Sequence, residues 1–301
     1  MAVRLLDAFA SDFARMSGAD LADSIRQAEG RTLAAEVILS SEPPVEGVSH
    51  GEIAAAMGAD LIALDAYDPF APAIPGSPAS VLDDPAPLET YSRLLGRPVG
   101  INLIVADADL GSGLGGRRVS EAAVEAVAAQ GADFVFLYVR PKMGGTPEMM
   151  QAAARLIADR APDMLLIGVP SFSLPAPRDA QGVANYLQQA IALLDAGCAG
   201  IGLPAPGSKQ GWLFEPTAQI IDAIHAREAL AWLFVTGSIE GASADAMVQI
   251  ALAAKQLGAD AVRLDEAGLS GMPLPENILA FSIALRGKRH TYRRMAASIL
   301  R

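Results

Sequence analysis

Glu36 and Asn102 each interrupt a run built of Leu, Ala, Val, Ile and Gly. A polar side chain in such a run is costly to bury unless it is paired or lines a site. Glu36, within Leu33–Leu39, is a candidate general base, with an ion pair to an arginine such as Arg31 or Arg140 as its structural alternative. Asn102, within Val99–Val105, is a candidate for the same pocket. Aspartates follow two neighbouring runs, at Asp65 and Asp68 and at Asp107 and Asp109. Carboxylates with water are the donor set of Mg2+ or Mn2+. Asp68, Asp107 and Asp109 are therefore candidate metal ligands and Asp65 a candidate catalytic group, the alternative being solvated loop carboxylates and turn caps. Arg140-Pro-Lys142 supplies two further candidate catalytic groups, and Lys142 and Lys209 are cations that could meet a substrate's charge. Small residues in Thr236-Gly-Ser-Ile-Glu-Gly-Ala-Ser243 and Ala267-Gly-Leu-Ser-Gly271 leave backbone N–H groups open to an anion. Thr236, Gly237, Ser238 and Gly268 are thus candidate contacts for a phosphate or carboxylate, although Glu240 in the same loop would oppose one.

Other chemistries find little footing. His50, His225 and His290 are the only histidines, and their positions suggest no metal triad. Cys198 stands in an Ala-Gly-Cys-Ala-Gly turn and reads as packing. Neither Lys142 nor Lys209 lies within an apolar run, where the Schiff-base lysine of a barrel aldolase usually sits. There is no Ser-His-Asp pattern, phosphate-binding Walker loop or organic-cofactor motif.

These groups need a scaffold, and the spacing of the apolar runs describes one. Eight runs stand out as buried strands: Leu33–Leu39, Asp60–Ala66, Val99–Val105, Asp133–Val139, Met164–Val169, Ala199–Leu203, Ala231–Val235 and Asp260–Leu264. Amphipathic Ala-rich segments separate them, including Ser120–Gln130, Pro147–Asp159 and Gly182–Ala196. One strand, loop, helix and turn per repeat is the βα period. Gly58-Ala-Asp60, Gly131-Ala-Asp133, Gly197-Cys-Ala199 and Gly258-Ala-Asp260 precede every second strand, glycine serving as helix C-cap. That recurrence suggests (βα)2 modules closing into a ring. An open doubly wound sheet would usually carry a glycine fingerprint after its first strand, where this chain has Ser40-Ser-Glu-Pro-Pro44. The expected fold is an α/β (β/α)8 TIM barrel in one domain: residues 1–30 as an N-terminal helical extension plugging its bottom, 31–286 as the barrel and 287–301 as a basic C-terminal helix. In this fold the chemistry gathers at the C-terminal ends of the strands, where the candidates above fall.

Composition narrows the partners. The 301 residues carry a net charge of −11, which repels a phosphate backbone and argues against nucleic-acid binding. Six of the 23 basic residues and none of the acidic ones lie between Arg286 and Arg301, as expected of a basic helix clamped on an acidic body or of an arm between subunits. No apolar run reaches the ~18 residues of a membrane span. A lone cysteine and an N-terminus without a sustained apolar stretch suit a cytoplasmic protein. A small anionic substrate and a homo-oligomer are the expected partners.

The C-terminal string Gly287-Lys-Arg-His-Thr-Tyr292 with Arg294-Met295 and Ser298, preceded by Pro275-Glu-Asn277, resembles an uncharacterised bacterial barrel family, as do Glu29-Gly-Arg31 and Gly58-Ala-Asp60. Members have carried labels such as phosphoenolpyruvate phosphonomutase-like and haloacid-dehalogenase-like hydrolase. Val105-Ala-Asp-Ala-Asp-Leu-Gly-Ser-Gly113 is also similar to a stretch after the third strand in the isocitrate lyase/phosphoenolpyruvate mutase superfamily. That resemblance implies Asp107 and Asp109 on the metal side of a 2-oxo acid or its enolate. Arg140-Pro-Lys142 stands where that superfamily has an acidic pair. Together these readings point to a lyase or isomerase acting on a small phosphorylated or carboxylated metabolite through a metal-stabilised enolate. The alternative is a non-catalytic barrel that binds a metabolite or partner.

Overall fold

The computed structural model describes residues 3–172, 174–266 and 270–301. Eight strands form: β1 (Thr32–Ile38), β2 (Leu61–Asp65), β3 (Val99–Val105), β4 (Phe134–Val139), β5 (Leu165–Val169), β6 (Gly200–Pro204), β7 (Leu230–Val235) and β8 (Ala261–Leu264). All pair in parallel, in sequence order, and β8 returns to β1, giving a closed (β/α)8 barrel. Each strand end falls within one residue of the apolar run that predicts it.

Alternation along each strand divides the side chains between two cores. Leu33, Val37, Ile101, Leu137 and Leu233 face outward into the layer under the helices. Ala63, Phe134, Phe136, Ile167, Trp232 and Phe234 fill the barrel. Large rings inside require small partners. A Cβ on Gly100 would lie 2.2 Å from the Phe134 ring, and one on Gly202 would lie 2.5 Å from the Phe234 ring. Glycine at these two strand positions lets four aromatic side chains interlock edge to face within the barrel.

The surrounding helices are α1 (Ala10–Phe13), α2 (Gly18–Arg26), α3 (His50–Ala56), α4 (Ala79–Leu82), α5 (Pro87–Leu95), α6 (Glu121–Ala129), α7 (Pro147–Arg160), α8 (Ala180–Asp195), α9 (Phe214–His225), α10 (Ala244–Gln256) and α11 (Pro275–Ala296). Ser120 and Thr146 cap α6 and α7 as their sequence positions suggest. Leu5, Phe13, Leu21 and Ile25, from the N-terminal segment, α1 and α2, share a core with Leu61, Leu165 and Leu230 and plug the barrel bottom. No helix of the described residues is long and apolar enough to cross a membrane.

The recurring glycine-alanine-aspartate motif has a physical basis. Gly58, Gly131, Gly197 and Gly258 all adopt positive φ. Asp60, Asp133 and Asp260 each then accept a hydrogen bond from the backbone N–H that starts the preceding strand, at Leu33 (2.9 Å), Val99 (2.7 Å) and Ala231 (2.8 Å). The aspartates bind adjacent strands together at the bottom and lie just outside their own strands.

Asp60 also anchors the basic C-terminus. Arg286 and Arg294 meet its two oxygens at 2.5 and 2.7 Å, all three side chains being nearly or wholly buried. Gly287, at φ 78° and ψ 161°, breaks α11 between them. The C-terminal string is a clamp on the body, and Arg294 also donates to the Leu5 and Ala8 carbonyls of the plug.

Asp260 has a second partner, His225, at 2.9 Å. The hydrogen bond to Asp260 raises the His225 pKa, against opposition from burial. A raised folded-state value stabilises the fold below the unfolded pKa of about 6.5 and loses that contribution as pH rises through the folded value. His225→Gln is therefore expected to destabilise the protein more at pH 5.5 than at pH 8.5. The difference, read by urea denaturation, should stay below about 1 kcal/mol because solvent screens the ring. An equal loss at both pH values would remove the linkage.

Candidate active site

Three of the sequence candidates meet at the top of the barrel. Asn102 sits between two carboxylates and donates from Nδ2 to Glu36 Oε2 at 2.7 Å and to Asp65 Oδ1 at 2.8 Å. Glu36 and Asn102 are almost wholly buried. The guanidinium that meets Glu36 is neither Arg31 nor Arg140 but Arg263, 2.7 Å away. Arg31 instead bonds Ala28 and Glu29 at the bottom. Arg263 projects inward from β8, is 1% exposed and also bonds Asp265 Oδ1 from Nε (2.9 Å) and Nη2 (2.7 Å). Its guanidinium carbon lies 4.1 Å from the Phe234 ring centre, 4.7 Å from Phe136 and 5.6 Å from Tyr138. The aromatic layer is the floor on which this cation rests.

Burial dominates the electrostatics. It pushes the Glu36 carboxyl well above the ordinary range; Asp265 and Asp65 push the same way, and Arg263 and Asn102 oppose them. On Arg263, burial favours loss of charge, but Asp265 and Glu36 outweigh it and secure the cation. Glu36 is thus a buried carboxyl held by two donors, Asn102 and Arg263, beside a permanent positive charge.

Arg140 begins the short turn Pro141–Met143 after β4, and its guanidinium lies 5.8 Å from the Tyr138 ring centre, the ring that Arg263 also approaches. Lys142 is exposed on that turn. Lys209, after β6, is half-buried, and burial lowers its pKa. Cations thus follow β4, at Arg140 and Lys142, and β6, at Lys209.

The metal candidates do not converge. Asp68 Oδ1 accepts from the backbone N–H of Phe70 (2.9 Å) and Gly116 (3.0 Å), tying the loop after β2 to the one after β3. Asp107 Oδ1 accepts from the N–H groups of Asp109 (2.9 Å) and Leu110 (3.2 Å), which hold its pKa below the usual carboxylate range. Asp109 is exposed. Among the described residues no three His, Cys, Asp or Glu side chains come together as a metal-binding group. Two of the three carboxylates expected to hold Mg2+ or Mn2+, Asp68 and Asp107, are instead used in turns.

Thr236, Gly237 and Ser238 follow β7, the last two at φ 78° and 70°. Ser243 already caps α10 by accepting from the Ala246 N–H. Glu240, between them, is 2% exposed. Burial raises its pKa to about 7, with Asp265 and Glu266 adding to the shift. This side of the mouth is therefore acidic. Gly268 lies outside the described residues.

Arg263 is a member of the network that is not among the sequence candidates. Like Glu36 it is a lone charge in an apolar strand, and Asp265 two residues on shares its face. At the opposite end of the barrel, a hollow of 690 Å³ is lined by Phe13, Arg93, Asp133 and Leu300 and shares no residue with this network.

A closed parallel barrel with helices outside and an arginine-centred carboxylate network at its strand ends defines a (β/α)8 protein with a polar mouth. The chain belongs to the family described as "Domain of unknown function (DUF7916)", which matches residues 6–301. No curated protein matches the sequence. Among solved structures it is similar to "QR15, an Aldolase", at 10% identity and TM-score 0.50, covering 90% of this chain and 99% of that one. It is also similar to the carboxyl transferase domain of Rhizobium etli pyruvate carboxylase with 3-hydroxypyruvate, at 16% identity and TM-score 0.54. That match covers 96% of this chain and 52% of the other, so the chain spans about half its length. At such identities the likeness establishes the fold.

Proposed function

We propose that this chain is an enzyme, a lyase or isomerase that moves a proton on a small phosphorylated or carboxylated metabolite, with Glu36 as the acid–base group. One observation carries the reading: a carboxyl buried in the mouth of a barrel, with its pKa raised and its orientation fixed by Asn102 and Arg263. A raised pKa favours the protonated form, from which a carboxyl can donate a proton as well as take one back. Arg140 and Lys142 would meet the substrate's charge, a reading supported by the Arg140 guanidinium lying near the Tyr138 ring that Arg263 also approaches. Negative charge that develops when a proton leaves carbon would be stabilised by that guanidinium. Asp65, which shares Asn102 with Glu36, is the second carboxyl of the site. Thr236, Gly237 and Ser238 would offer backbone contacts to the substrate's far end.

Proton exchange tests this whatever the product is. The protein is incubated in D2O with a panel of 2-oxo acids, hydroxy acids and sugar phosphates, and loss of C–H signal is followed by NMR. The expected result is exchange on one chemical class, reduced ~10²–10⁴-fold in Glu36→Gln with the fold intact by circular dichroism. Exchange undiminished in that variant would remove Glu36 from the chemistry. Thermal stabilisation by a compound class without any exchange would favour the non-catalytic binding barrel.

A further inference from the structure

We infer that the β7–β8 side of the mouth is a subsite for a substrate ammonium group, so that the metabolite carries an amine as well as its phosphate or carboxylate. This rests on the functional reading above and narrows its substrate class.

Two observations converge. Asp265 is almost wholly buried and Glu266 half-buried where β8 ends, and the charges of the adjoining Asp265 and of Asp65 at the end of β2 both act on Glu266. The second is Glu240, in the turn Ile239–Gly241 that follows β7, the strand paired with β8. It is 2% exposed, and its Oε2 is buried without a hydrogen-bond partner among the described residues. Its main chain is pinned from behind, because Asn277 Nδ2 donates to the carbonyls of Glu240 (2.8 Å) and Ala242 (2.7 Å). Asp265 and Glu266 both add negative charge at its carboxyl. Arg263 is the cation tied to this cluster by ion pairs, and it is already committed to Glu36 and Asp265.

A buried carboxylate oxygen without a donor, set beside further carboxylates, is unfavourable unless a proton or a cation joins it. A primary ammonium supplies one positive charge and three N–H donors on one small atom. One of those N–H groups is enough to meet the unpartnered Glu240 oxygen, while the positive charge is also felt by Asp265 and Glu266. A divalent ion is the poorer match, since the described carboxylates do not close into a group of three around one point. The cations that follow β4 and β6 then take the anionic end, and the mouth is complementary to a dipolar molecule such as an amino acid or an amino phosphate.

Matched pairs test this by isothermal calorimetry on the whole protein: L-serine with glycerate, L-aspartate with malate, and O-phosphoethanolamine with ethyl phosphate. The expected result is at least tenfold tighter binding of the amine-bearing member in one or more pairs. Glu240→Gln should erase that preference while leaving affinity for the amine-free member unchanged. Glu266→Gln serves as a second variant with the same expectation if Glu240→Gln lowers Tm. Equal or tighter binding of the amine-free members overturns the inference, as does a preference that survives both substitutions. Loss of the preference in 100 mM KCl with wild-type stabilisation by K+ alone would reassign the subsite to an inorganic cation. If no member of any pair binds, the functional reading falls along with this one; if all bind without regard to the amine, only this one falls.

Discussion

Replacing Arg263 with methionine is expected to lower stability by about 3–5 kcal/mol, the range for removing one partner of a buried ion network. Methionine fills much of the space and keeps contact with the Phe136, Phe234 and Tyr138 rings, so the loss is electrostatic rather than a cavity effect. Glu36 and Asp265, 5% and 7% exposed, would be left without their cation. Adding Glu36→Gln and Asp265→Asn to Arg263→Met should therefore recover much of the deficit, because neutral amides can stay buried where lone carboxylates cannot. Lysine should do little better than methionine. One ammonium cannot span Glu36 on one side and Asp265 on the other as the planar fork does. Urea denaturation of the single, triple and lysine variants gives the comparison. A loss under about 1 kcal/mol in Arg263→Met, or no recovery in the triple variant, would show that the network does not hold the mouth in the way its geometry implies.

The parts of this arrangement differ in how far the sequence exposes them, and the difference is one of range. Strand positions follow from local periodicity, so β1 to β8 are legible to the residue or nearly so. Glu36 and Asn102 are legible for the same reason, as polar breaks in apolar runs, and Asp65 as a strand end. Which groups meet is a property of closure. Arg263 reaches Asn102 across 161 positions, and nothing local favours it over Arg31 as the partner of Glu36. Loop chemistry fails for another reason. Asp68, Asp107 and Asp109 have the composition of a metal site, but Asp68 and Asp107 are drawn into short-range backbone hydrogen bonds that only the loop path decides. The aspartates of the repeated motif are visible as a pattern, while their work, binding the start of a neighbouring strand, requires the strand order. Glu240 is visible as an obstacle to an anion, while its burial shows only in the folded chain.

Asp60→Asn is the substitution expected to have the widest structural effect. Asp60 has no exposed surface, and its two oxygens hold Arg286 and Arg294 while also accepting from the Leu33 N–H. Burial alone would raise its pKa, but the two guanidinium groups outweigh it and hold the carboxyl below its usual range. An amide removes the charge, leaves two buried cations facing each other with Arg97 close by, and turns an N–H toward one of them. A loss of about 3–5 kcal/mol is expected. The sign of its pH dependence is fixed by the depressed pKa. The stabilisation is fully present above the unfolded value of about 3.9 and disappears as pH falls through the lower folded value. The gap between wild type and Asp60→Asn should thus be constant from pH 5 to 8 and shrink on acidification below about pH 4. The clamp also predicts where the variant opens first. Arg294 donates to Leu5 and Ala8, so the N-terminal plug should lose amide-exchange protection before the barrel strands do. A deficit independent of pH down to 3, with the plug as protected as in wild type, would mean that Asp60 serves only the Leu33 N–H. The arginines of the C-terminal string would then owe their burial to packing rather than to this one carboxylate.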